Sequence, residues 1–386
     1  IIIIKDVNMY PRYQMIGYQD EYFLKFSYKL RLLFLILSFL VYKINLKYIE
    51  RYYKPNVLEI SIPYNFYIIS SLFAISSSNF ISLYLSLELQ SLSLISLIFV
   101  ITFVLPALVN TSGEQTASPT VIEAAFKNFW LNMVFSYAIL IGISLIYYST
   151  GQTDISKAFM IINIYNTDPS LSIPFIFIIL GIIGKFGLFP ANLGILGIVD
   201  GISLFSTIVL LVLNKYIYLI ILGLNILPYL SNILMKDLCS SLLVILSLIT
   251  IYHGISLNLK NFTLRKFIAA SSMINVGLLL IILINWDFSL TYLVLIFYLL
   301  FYIIISIGLF AILLLWKNKS RCIKVTDVDS INPVLYCIFI LLILGIAGFP
   351  IFILFFNKFY INCMLAQNNG LSIVILFIII TLLAAN

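Results

Sequence analysis

The chain has 386 residues, of which 62% are hydrophobic and only 10% are charged. A soluble globular domain has about 45–50% apolar and about 25% charged residues, so this composition excludes a water-soluble fold of this size. The outer surface must face lipid, and the composition therefore predicts an all-α polytopic membrane protein. The net charge of +7 comes from basic residues in short loops, which indicates membrane topology rather than nucleic-acid binding.

Eleven apolar segments follow one another along the chain, and a membrane-spanning helix needs about 20 such residues. We predict helices at roughly 30–46, 59–79, 80–108, 126–149, 172–189, 201–226, 238–257, 267–285, 288–316, 335–357 and 371–385. The first segment is short, and the basic side chains of Arg31 and Lys43 can reach from it to the membrane surface. The N-terminal stretch shows no cleavable signal pattern, because its apolar run is four residues long.

The basic residues fall mainly on one side when the segments alternate across the membrane. Eleven lie in the loops of one side, against Lys157 and Lys236 on the other. The richer loops contain Lys43, Lys47, Arg51, Lys54, Lys260, Arg265, Lys266, Lys317, Lys319, Arg321 and Lys324. By the positive-inside rule this side faces the matrix or the cytoplasm. The N-terminal residues Lys5, Arg12 and Lys25 fall on the other side and are an exception.

Glycine and proline interrupt two segments, at GIIGKFGLFP (181–190) and GIAGFP (345–350). Each interruption lies in the fourth segment of a set of five, and broken helices at matching positions of two halves indicate an inverted-repeat transporter. We predict a tail and first helix in 1–55, a first five-helix repeat in 56–227 and a second in 228–386. The helix breaks are assigned to Gly184, Pro190, Gly348 and Pro350.

Five ionisable residues lie within or beside apolar segments, namely Glu88, Lys127, Lys185, Lys215 and Lys358. A charge at the centre of a spanning helix costs about 2.5–3.5 kcal/mol on insertion scales. Burial disfavours a charged lysine and a nearby carboxylate favours it, so a lysine between these influences can exchange a proton near neutral pH. One acid and several lysines on separate helices therefore predict a proton relay. Structural ion pairs or side chains that reach the interface are the alternative, above all for Lys127.

The sequence offers no pattern for another kind of site. Its four cysteines are scattered and His253 is the only histidine, so the ligand spacing of a zinc or iron–sulfur site is missing. It contains neither a P-loop nor a G-x-G-x-x-G motif, which excludes the common nucleotide sites. We therefore expect no cofactor and no metal in this chain.

Six stretches resemble, in the same order, the antiporter-like subunits of respiratory NADH:ubiquinone oxidoreductase (complex I), in particular its chain 2. The most characteristic is SLELQSLSLISLI (86–98), which resembles the fifth helix of that family. The others are EAAFKNFWLNMVFSYAILIGISLIYYSTGQTD (123–154), IIGKFGLFP (182–190), DGISLFSTIVLLVLNK (200–215), LKNFTLRKFIAASSMINVG (259–277) and GIAGFPIFILFFNKFY (345–360). The resemblance extends from about residue 56 to residue 385.

The resemblance implies a role for each ionisable residue. Glu88 would be the fifth-helix acid that pairs with Lys185 on the broken seventh helix, and Lys127 would support this pair. Lys215 would be the central relay lysine, and Lys358 the twelfth-helix lysine linked to the exit or to the next subunit. The implied function is proton translocation, driven by quinone reduction elsewhere in the complex.

The resemblance also implies a setting for the chain. FMN, iron–sulfur clusters and ubiquinone would be bound by other subunits, and the partners would be lipids and other membrane-arm subunits, including further antiporter-like ones. The richness in Ile, Phe and Tyr is what an AT-rich genome encodes, which favours a mitochondrial gene and the mitochondrial inner membrane.

The chain departs from the family pattern in two respects. Asn192 and Asn275 stand where the family often has histidine, so a relay from Lys215 to Lys358 would depend on water or on the hydroxyls of Ser271 and Ser272. The family has three helices before the repeats and one after them. This chain has one before and none after, so we expect the missing crossings to be lost, to lie on another polypeptide, or to lie outside the given sequence.

Two other functions stay open. A cation/proton antiporter subunit with the same fold would exchange sodium or potassium for protons. A membrane scaffold that transports nothing would use its buried lysines only for structure. The stretch 86–98 and the organellar composition favour the respiratory function.

Overall fold

The structure, a computed structural model, describes residues 15–52, 57–109, 119–164, 172–226, 233–260, 263–284, 290–315, 333–349, 352 and 354–360. Within these ranges the chain is helical apart from short turns and one isolated bridge between Asn79 and Asp154. Inside a membrane only helices and closed barrels satisfy every backbone hydrogen bond, so apolar segments of this length fold as helices. The prediction of an all-α protein is confirmed.

The helices of the described ranges are α1 Met15–Tyr52, α2 Val57–Ser76, α3 Phe80–Val109, α4 Pro119–Thr150, α5 Ile155–Ile164, α6 Ser172–Phe186 and α7 Asn192–Gly201. They continue with α8 Leu204–Ile208, a π segment Val209–Leu213, α9 Asn214–Ile220 and a second π segment Ile221–Ile226, which form one continuous helical stretch. The last are α10 Ile233–Lys260, α11 Leu264–Ile284, α12 Leu290–Leu315 and α13 Pro333–Ala347. Residues 354–360 are helical again after the end of α13.

Nine of the eleven predicted segments coincide with these helices, 335–357 does so only in part, and 371–385 lies outside the described residues. The short helices α5 and α7, ten residues each, were not predicted because their apolar runs are too short to span a membrane. The segment 335–357 is not one helix, since α13 ends at Ala347 and the two residues that follow, Gly348 and Phe349, are not helical. The division into repeats at 56–227 and 228–386 stays a prediction.

Seven helices of the described part are long and apolar enough to cross a membrane, and α6 and α13 are shorter apolar helices. Burial separates the centre of the bundle from its periphery. The share of buried residues is 94% in the span 204–223 and 83% in the span 264–281, whereas it is only 22% in the span 122–150 on α4. The helix that carries Lys215 therefore lies at the centre, while α4 presents large side chains such as Trp130 and Tyr137 to the outside.

Helices α4 and α6 approach each other closely through glycine. A Cβ atom on Gly181 of α6 would lie 2.5 Å from Cγ1 of Ile139 and 2.8 Å from the backbone oxygen of Phe135 on α4. A Cβ atom on Gly142 of α4 would in turn lie 2.7 Å from the backbone oxygen of Pro174 on α6. Small residues at such contacts let two membrane helices pack backbone to backbone. This contact fixes α6, which carries Lys185, against its neighbour.

We predict that Gly181→Ala destabilises the protein by about 1–3 kcal/mol, the usual cost of overpacking a tight contact. The new methyl group would press on a backbone oxygen, which cannot rotate away as a side chain can. The measurement is the unfolding temperature of the protein in detergent. Gly197→Ala on α7 is the matched control, because its Cβ would meet only Nζ of Lys127, at 3.8 Å. Equal unfolding temperatures for the two variants would contradict the prediction.

Two polar contacts join the end of α7 to the start of α11. Nζ of Lys266 lies 2.5 Å from Oδ2 of Asp200. The side chain of Arg265 donates a hydrogen bond to the backbone oxygen of Ile202, at 3.2 Å. These contacts connect the stretch that follows the first helix break with a helix of the second half of the chain.

Candidate functional site

The predicted pair of Glu88 and Lys185 is present. Nζ of Lys185 donates a hydrogen bond to Oε1 of Glu88 at 2.5 Å, which joins α6 to α3. The Lys185 side chain is fully buried and that of Glu88 is 20% exposed. Lys185 lies in the last turn of α6, where the unpaired backbone carbonyls carry partial negative charge and favour a cation. The ammonium group is therefore held by a carboxylate, and its residue lies at the end of a helix that favours a positive charge.

The break after α6 lies slightly later than predicted. Gly184 is still helical, and a Cβ atom there would overlap the ring of Phe135, so this glycine serves close packing with α4. The helix ends at Phe186, and Gly187 turns the chain with a φ of 85°, a region that favours glycine. Pro190 lies in the turn before α7. This turn places Lys185 at a helix terminus, where the sequence predicted a break.

Lys215 is buried at the centre of the bundle, in the first turn of α9. Its Nζ donates a hydrogen bond of 2.5 Å to Oγ of Ser272 on α11, and that hydroxyl donates to the backbone oxygen of Ala269. Among the described residues no carboxylate pairs with Lys215 in an ion pair. The amine thus faces a neutral hydroxyl, in contrast to Lys185.

A small cavity lies between these two lysines. It has about 40 Å³ of space open to the centres of water molecules, enough for about two to four waters. Lys185 and Lys215 both line it, together with the amide side chains of Asn128, Asn132 and Asn214. Polar walls of this kind favour water over an empty apolar void. The cavity can therefore connect the two amines through water.

The asparagines of α4 add hydrogen-bonding capacity to the cavity wall. Nδ2 of Asn132 donates to Oδ1 of Asn128 at 3.3 Å. Nδ2 of Asn128 is buried and has no hydrogen-bond partner among the described residues. A buried donor costs about 1–3 kcal/mol when nothing accepts its hydrogen bond, so this amide favours a bound water.

The structure does not bring Lys127 into contact with the Glu88–Lys185 pair that it was expected to support. Lys127 forms an ion pair with Glu123 on the same helix, with 2.6 Å between Nζ and Oε1. The two side chains are 50% and 62% exposed. Spacing of four residues places them on one face of α4, where such pairs form readily. This geometry agrees with the structural alternative for Lys127.

Lys358 lies against the end of the second broken helix. Its Nζ donates to the backbone oxygens of Ala347 at 2.9 Å and Ile346 at 3.3 Å, the last carbonyls of α13. Gly348 follows with a φ of 79°, and a Cβ atom there would come within 3.0 Å of Nζ of Lys358. Glycine is therefore needed at this turn both for its conformation and for space. Pro350, the other predicted break residue, lies outside the described residues.

The predicted polar residues of α11 form two separate sets of hydrogen bonds. Ser272 accepts from Lys215, and Nδ2 of Asn275 donates to the backbone oxygen of Ser271 at 3.0 Å. Oδ1 of Asn275 accepts a hydrogen bond of 2.9 Å from the Tyr298 hydroxyl on α12. Ser272 thus contacts the central lysine, and Asn275, one turn later on the same helix, contacts α12.

Asn192, the other predicted supporting residue, is fully buried at the start of α7. Neither its amide nitrogen nor its amide oxygen has a hydrogen-bond partner among the described residues. Its position agrees with a water-binding role but links it to none of the lysines by a direct contact.

Sequence reasoning missed the amide residues that line the cavity. Asn128, Asn132 and Asn214 are uncharged polar residues inside apolar segments, and Asn214 directly precedes Lys215. That was the available signal, since buried polar groups in membrane helices require partners. In the described part of the chain, no three His, Cys, Asp or Glu side chains lie together in a way that could hold a metal ion.

The fold is shared with chains of known respiratory and antiporter complexes. A chain of respiratory complex I from Thermus thermophilus matches with a TM-score of 0.74 at 17% identity, covering 93% of this chain and 74% of that one. A chain of the Mrp complex from a Dietzia species matches with a TM-score of 0.76 at 15% identity, covering 92% of this chain and 64% of that one. The prediction of an antiporter-like fold is confirmed.

Relatives by sequence bear related names. NADH-ubiquinone oxidoreductase chain 2 of Rhizopus oryzae is 26% identical over 325 residues, which cover 81% of this chain and 58% of that protein. NADH-quinone oxidoreductase subunit N of Shewanella woodyi is 28% identical over 250 residues, which cover 62% of this chain and 52% of that protein. The chain thus spans slightly more than half the length of these relatives.

The residues of the site lie within the part of the chain that a family profile recognises. The profile of the family described as "NADH:quinone oxidoreductase/Mrp antiporter, TM" matches residues 77–384. This range contains Glu88 and all four candidate lysines, as well as the cavity between Lys185 and Lys215. The chain therefore belongs to the NADH:quinone oxidoreductase/Mrp antiporter transmembrane family.

Proposed function

We propose that the chain is a proton-translocating membrane subunit of an NADH:quinone oxidoreductase. The observation that carries this proposal is the buried Glu88–Lys185 pair, whose lysine lines a cavity together with a second buried lysine, Lys215. Two buried amines with different partners, separated by room for water, are suited to passing a proton. The names of the sequence relatives support the same function.

The central step is a proton transfer through cavity water. The ammonium group of Lys185 gives a proton to a water molecule, which passes a proton on to the neutral amine of Lys215. Lys185 becomes a neutral amine, Glu88 keeps its negative charge, and Lys215 becomes an ammonium ion held by the Ser272 hydroxyl. A new proton is then drawn to Lys185 by the unpaired carboxylate of Glu88, because opposite charges attract strongly where water is scarce.

Beyond Lys215 the proposed route follows the polar residues of α11. The Ser272 and Tyr298 hydroxyls can donate and accept hydrogen bonds, whereas the Asn275 amide can only orient water between them. Lys358, at the end of α13, is the proposed exit or the link to a neighbouring subunit.

In this proposal the chain performs no redox chemistry. Quinone reduction and the FMN and iron–sulfur clusters belong to other subunits, and this chain is embedded among other membrane-arm subunits and lipid. A mitochondrial inner membrane, with the chain encoded by the organelle, is proposed from the residue composition. The relative from Rhizopus oryzae, an NADH-ubiquinone oxidoreductase chain 2, supports this location.

A cation/proton antiporter subunit is the second candidate. The fold is shared with a chain of an Mrp complex, at a TM-score of 0.76, as well as with a chain of complex I, so the fold alone does not separate the two functions, and the names of the sequence relatives support the first. The two functions differ in their driving force. Proton movement by the respiratory subunit requires NADH oxidation, whereas an antiporter responds to a sodium or potassium gradient alone.

A native gel of a mild detergent extract separates the two candidates. We expect the chain, located by mass spectrometry, to migrate in a very large band that stains for NADH dehydrogenase activity. Migration in a small band without NADH activity would overturn the proposal and favour the antiporter. Vesicles that contain the chain should also show no proton flux in response to a sodium gradient without NADH.

A further inference from the structure

Asn214, in the wall of the cavity, also belongs to a polar cluster with two residues that have no place in the proposed proton route. Oδ1 of Asn214 accepts a hydrogen bond of 2.6 Å from the Tyr67 hydroxyl and one of 3.0 Å from Nε2 of Gln90. Tyr67 belongs to α2, Gln90 to α3 and Asn214 to α9. Tyr67 and Gln90 are buried, so both hydrogen bonds are largely shielded from competing water. Tyr67, Gln90 and Asn214 together form the Asn214 cluster.

The Asn214 cluster connects the helix of Glu88 with the helix of Lys215. Gln90 follows Glu88 by two residues on α3, and Asn214 directly precedes Lys215. Residues two positions apart in an α-helix are separated by about 200° around its axis, so Glu88 and Gln90 face different neighbours. On α3 the first contacts Lys185 and the second contacts Asn214. One helix therefore forms polar contacts with both lysine-bearing helices.

The cluster also lies at an irregular turn. The segment Val209–Leu213 is a π-helix, and the backbone N–H of Asn214 donates to the oxygen of Val209, five residues earlier. A π turn contains one residue more than an α turn, and such turns are rare without a specific stabilising contact. Reverting it to α geometry would rotate every following residue by about 100°. Lys215, the next residue, would then turn away from Ser272 and from the cavity.

We propose that Tyr67, Gln90 and Asn214 are positioning residues that hold the π turn and thereby keep Lys215 directed at Ser272 and at the cavity shared with Lys185. The hydrogen bonds to Asn214 fix the orientation of the first residue after the π turn. Because Lys215 is the next residue on the same helix, they also fix the direction in which its side chain points. The role rests on the proposed function, because it concerns the placement of the central relay lysine.

The test compares Tyr67→Phe with Tyr64→Phe in vesicles that contain the assembled complex. Both tyrosines lie on α2, both are buried, and each loses the hydrogen bond that its hydroxyl donates; Tyr67→Phe also loses a long one, 3.5 Å, that the hydroxyl accepts from Nε2 of Gln90. The Tyr64 hydroxyl donates to the backbone oxygen of Ser38 on α1 and has no part in the Asn214 cluster. Assembly is checked on native gels. The second variant is Gln90→Met, which keeps the length of the side chain and removes the hydrogen-bond donor. It also replaces Tyr67→Phe in the test if that variant fails to assemble.

We expect Tyr67→Phe and Gln90→Met to lower the number of protons translocated per NADH oxidised by about fivefold. This is the factor in an equilibrium that the loss of one hydrogen bond of ordinary strength produces. The pH profile of translocation should also change in these variants, because Lys215 has moved relative to its partners. Tyr64→Phe should retain both the ratio and the pH profile of the unmodified protein. The double variant Tyr67→Phe/Gln90→Met should be little worse than either single variant, since both act through Asn214.

Lys215→Met distinguishes failure of this inference from failure of the proposed function. If Lys215→Met abolishes translocation while Tyr67→Phe and Gln90→Met behave like Tyr64→Phe, the positioning role is overturned and the proposed function stands. If Lys215→Met itself leaves translocation unchanged, the proposed function is overturned, and the positioning role with it.

Discussion

Replacing Lys215 with Met will reduce NADH-driven proton translocation by about tenfold or more, because a positioned acid–base group commonly contributes at least that factor. Methionine has a similar length and fills the buried site but can neither bind a proton nor donate to Ser272. The assembled complex should be present in normal amounts. The measurement is proton uptake by vesicles during NADH oxidation, normalised to the amount of complex on a native gel.

The matched control for this result is Lys157→Met. Lys157 is exposed and paired with Asp154, with 2.8 Å between Nζ and Oδ2, so its replacement should leave translocation unchanged. Lys215→Arg tests whether charge alone is sufficient, since arginine stays protonated in proteins. Retained translocation in Lys215→Arg would show that this position needs a fixed charge and would contradict a relay role.

Replacing Glu88 with Gln will have the largest effect on stability. The change leaves the fully buried ammonium group of Lys185 without its carboxylate, and breaking a buried ion pair from one side costs about 3–5 kcal/mol. We expect a lower unfolding temperature in detergent together with loss of proton translocation. Glu123→Gln is the control, because that carboxylate is 62% exposed and pairs with the exposed Lys127.

The double variant Glu88→Gln/Lys185→Met separates the structural from the functional role of the pair. Removing both charges should restore most of the lost stability, because no uncompensated charge remains. Translocation should stay absent, since both proton-binding groups of the pair are gone. If translocation returned together with stability, the pair would be purely structural and the relay would have to begin elsewhere.

The helices of this protein could be predicted from the sequence because lipid imposes one requirement on every segment. Apolar runs of about 20 residues must become helices, and nine of the eleven predicted segments did so within the described residues. The same reasoning failed for α7, which is ten residues long and packs against other helices. Length indicates a crossing, but it says little about short helices that follow a break.

The site could be predicted only in part, because its contacts join residues that are far apart in the chain. Glu88 and Lys185 are 97 residues apart, and the sequence indicated their pairing only through a family resemblance. Tyr67 and Asn214 are 147 residues apart, and nothing in either segment indicated that they meet. The expected support from Lys127 also depended on a contact between helices, and the structure pairs that lysine with Glu123 instead.

The different partners of Lys185 and Lys358 have a consequence for control. The acceptor of Lys185 is the side chain of Glu88 on another helix, α3, so a shift of α3 can change this contact while α6 stays in place. The carbonyl oxygens of Ile346 and Ala347 cannot take up a proton at physiological pH, so the acceptors of Lys358 are constant. They change only if the end of α13 moves. The lysine of the first broken helix is thus held by a side chain of another helix, whereas Lys358 is held by the backbone of the second broken helix itself, so a displacement of that helix end would act directly on the Lys358 amine.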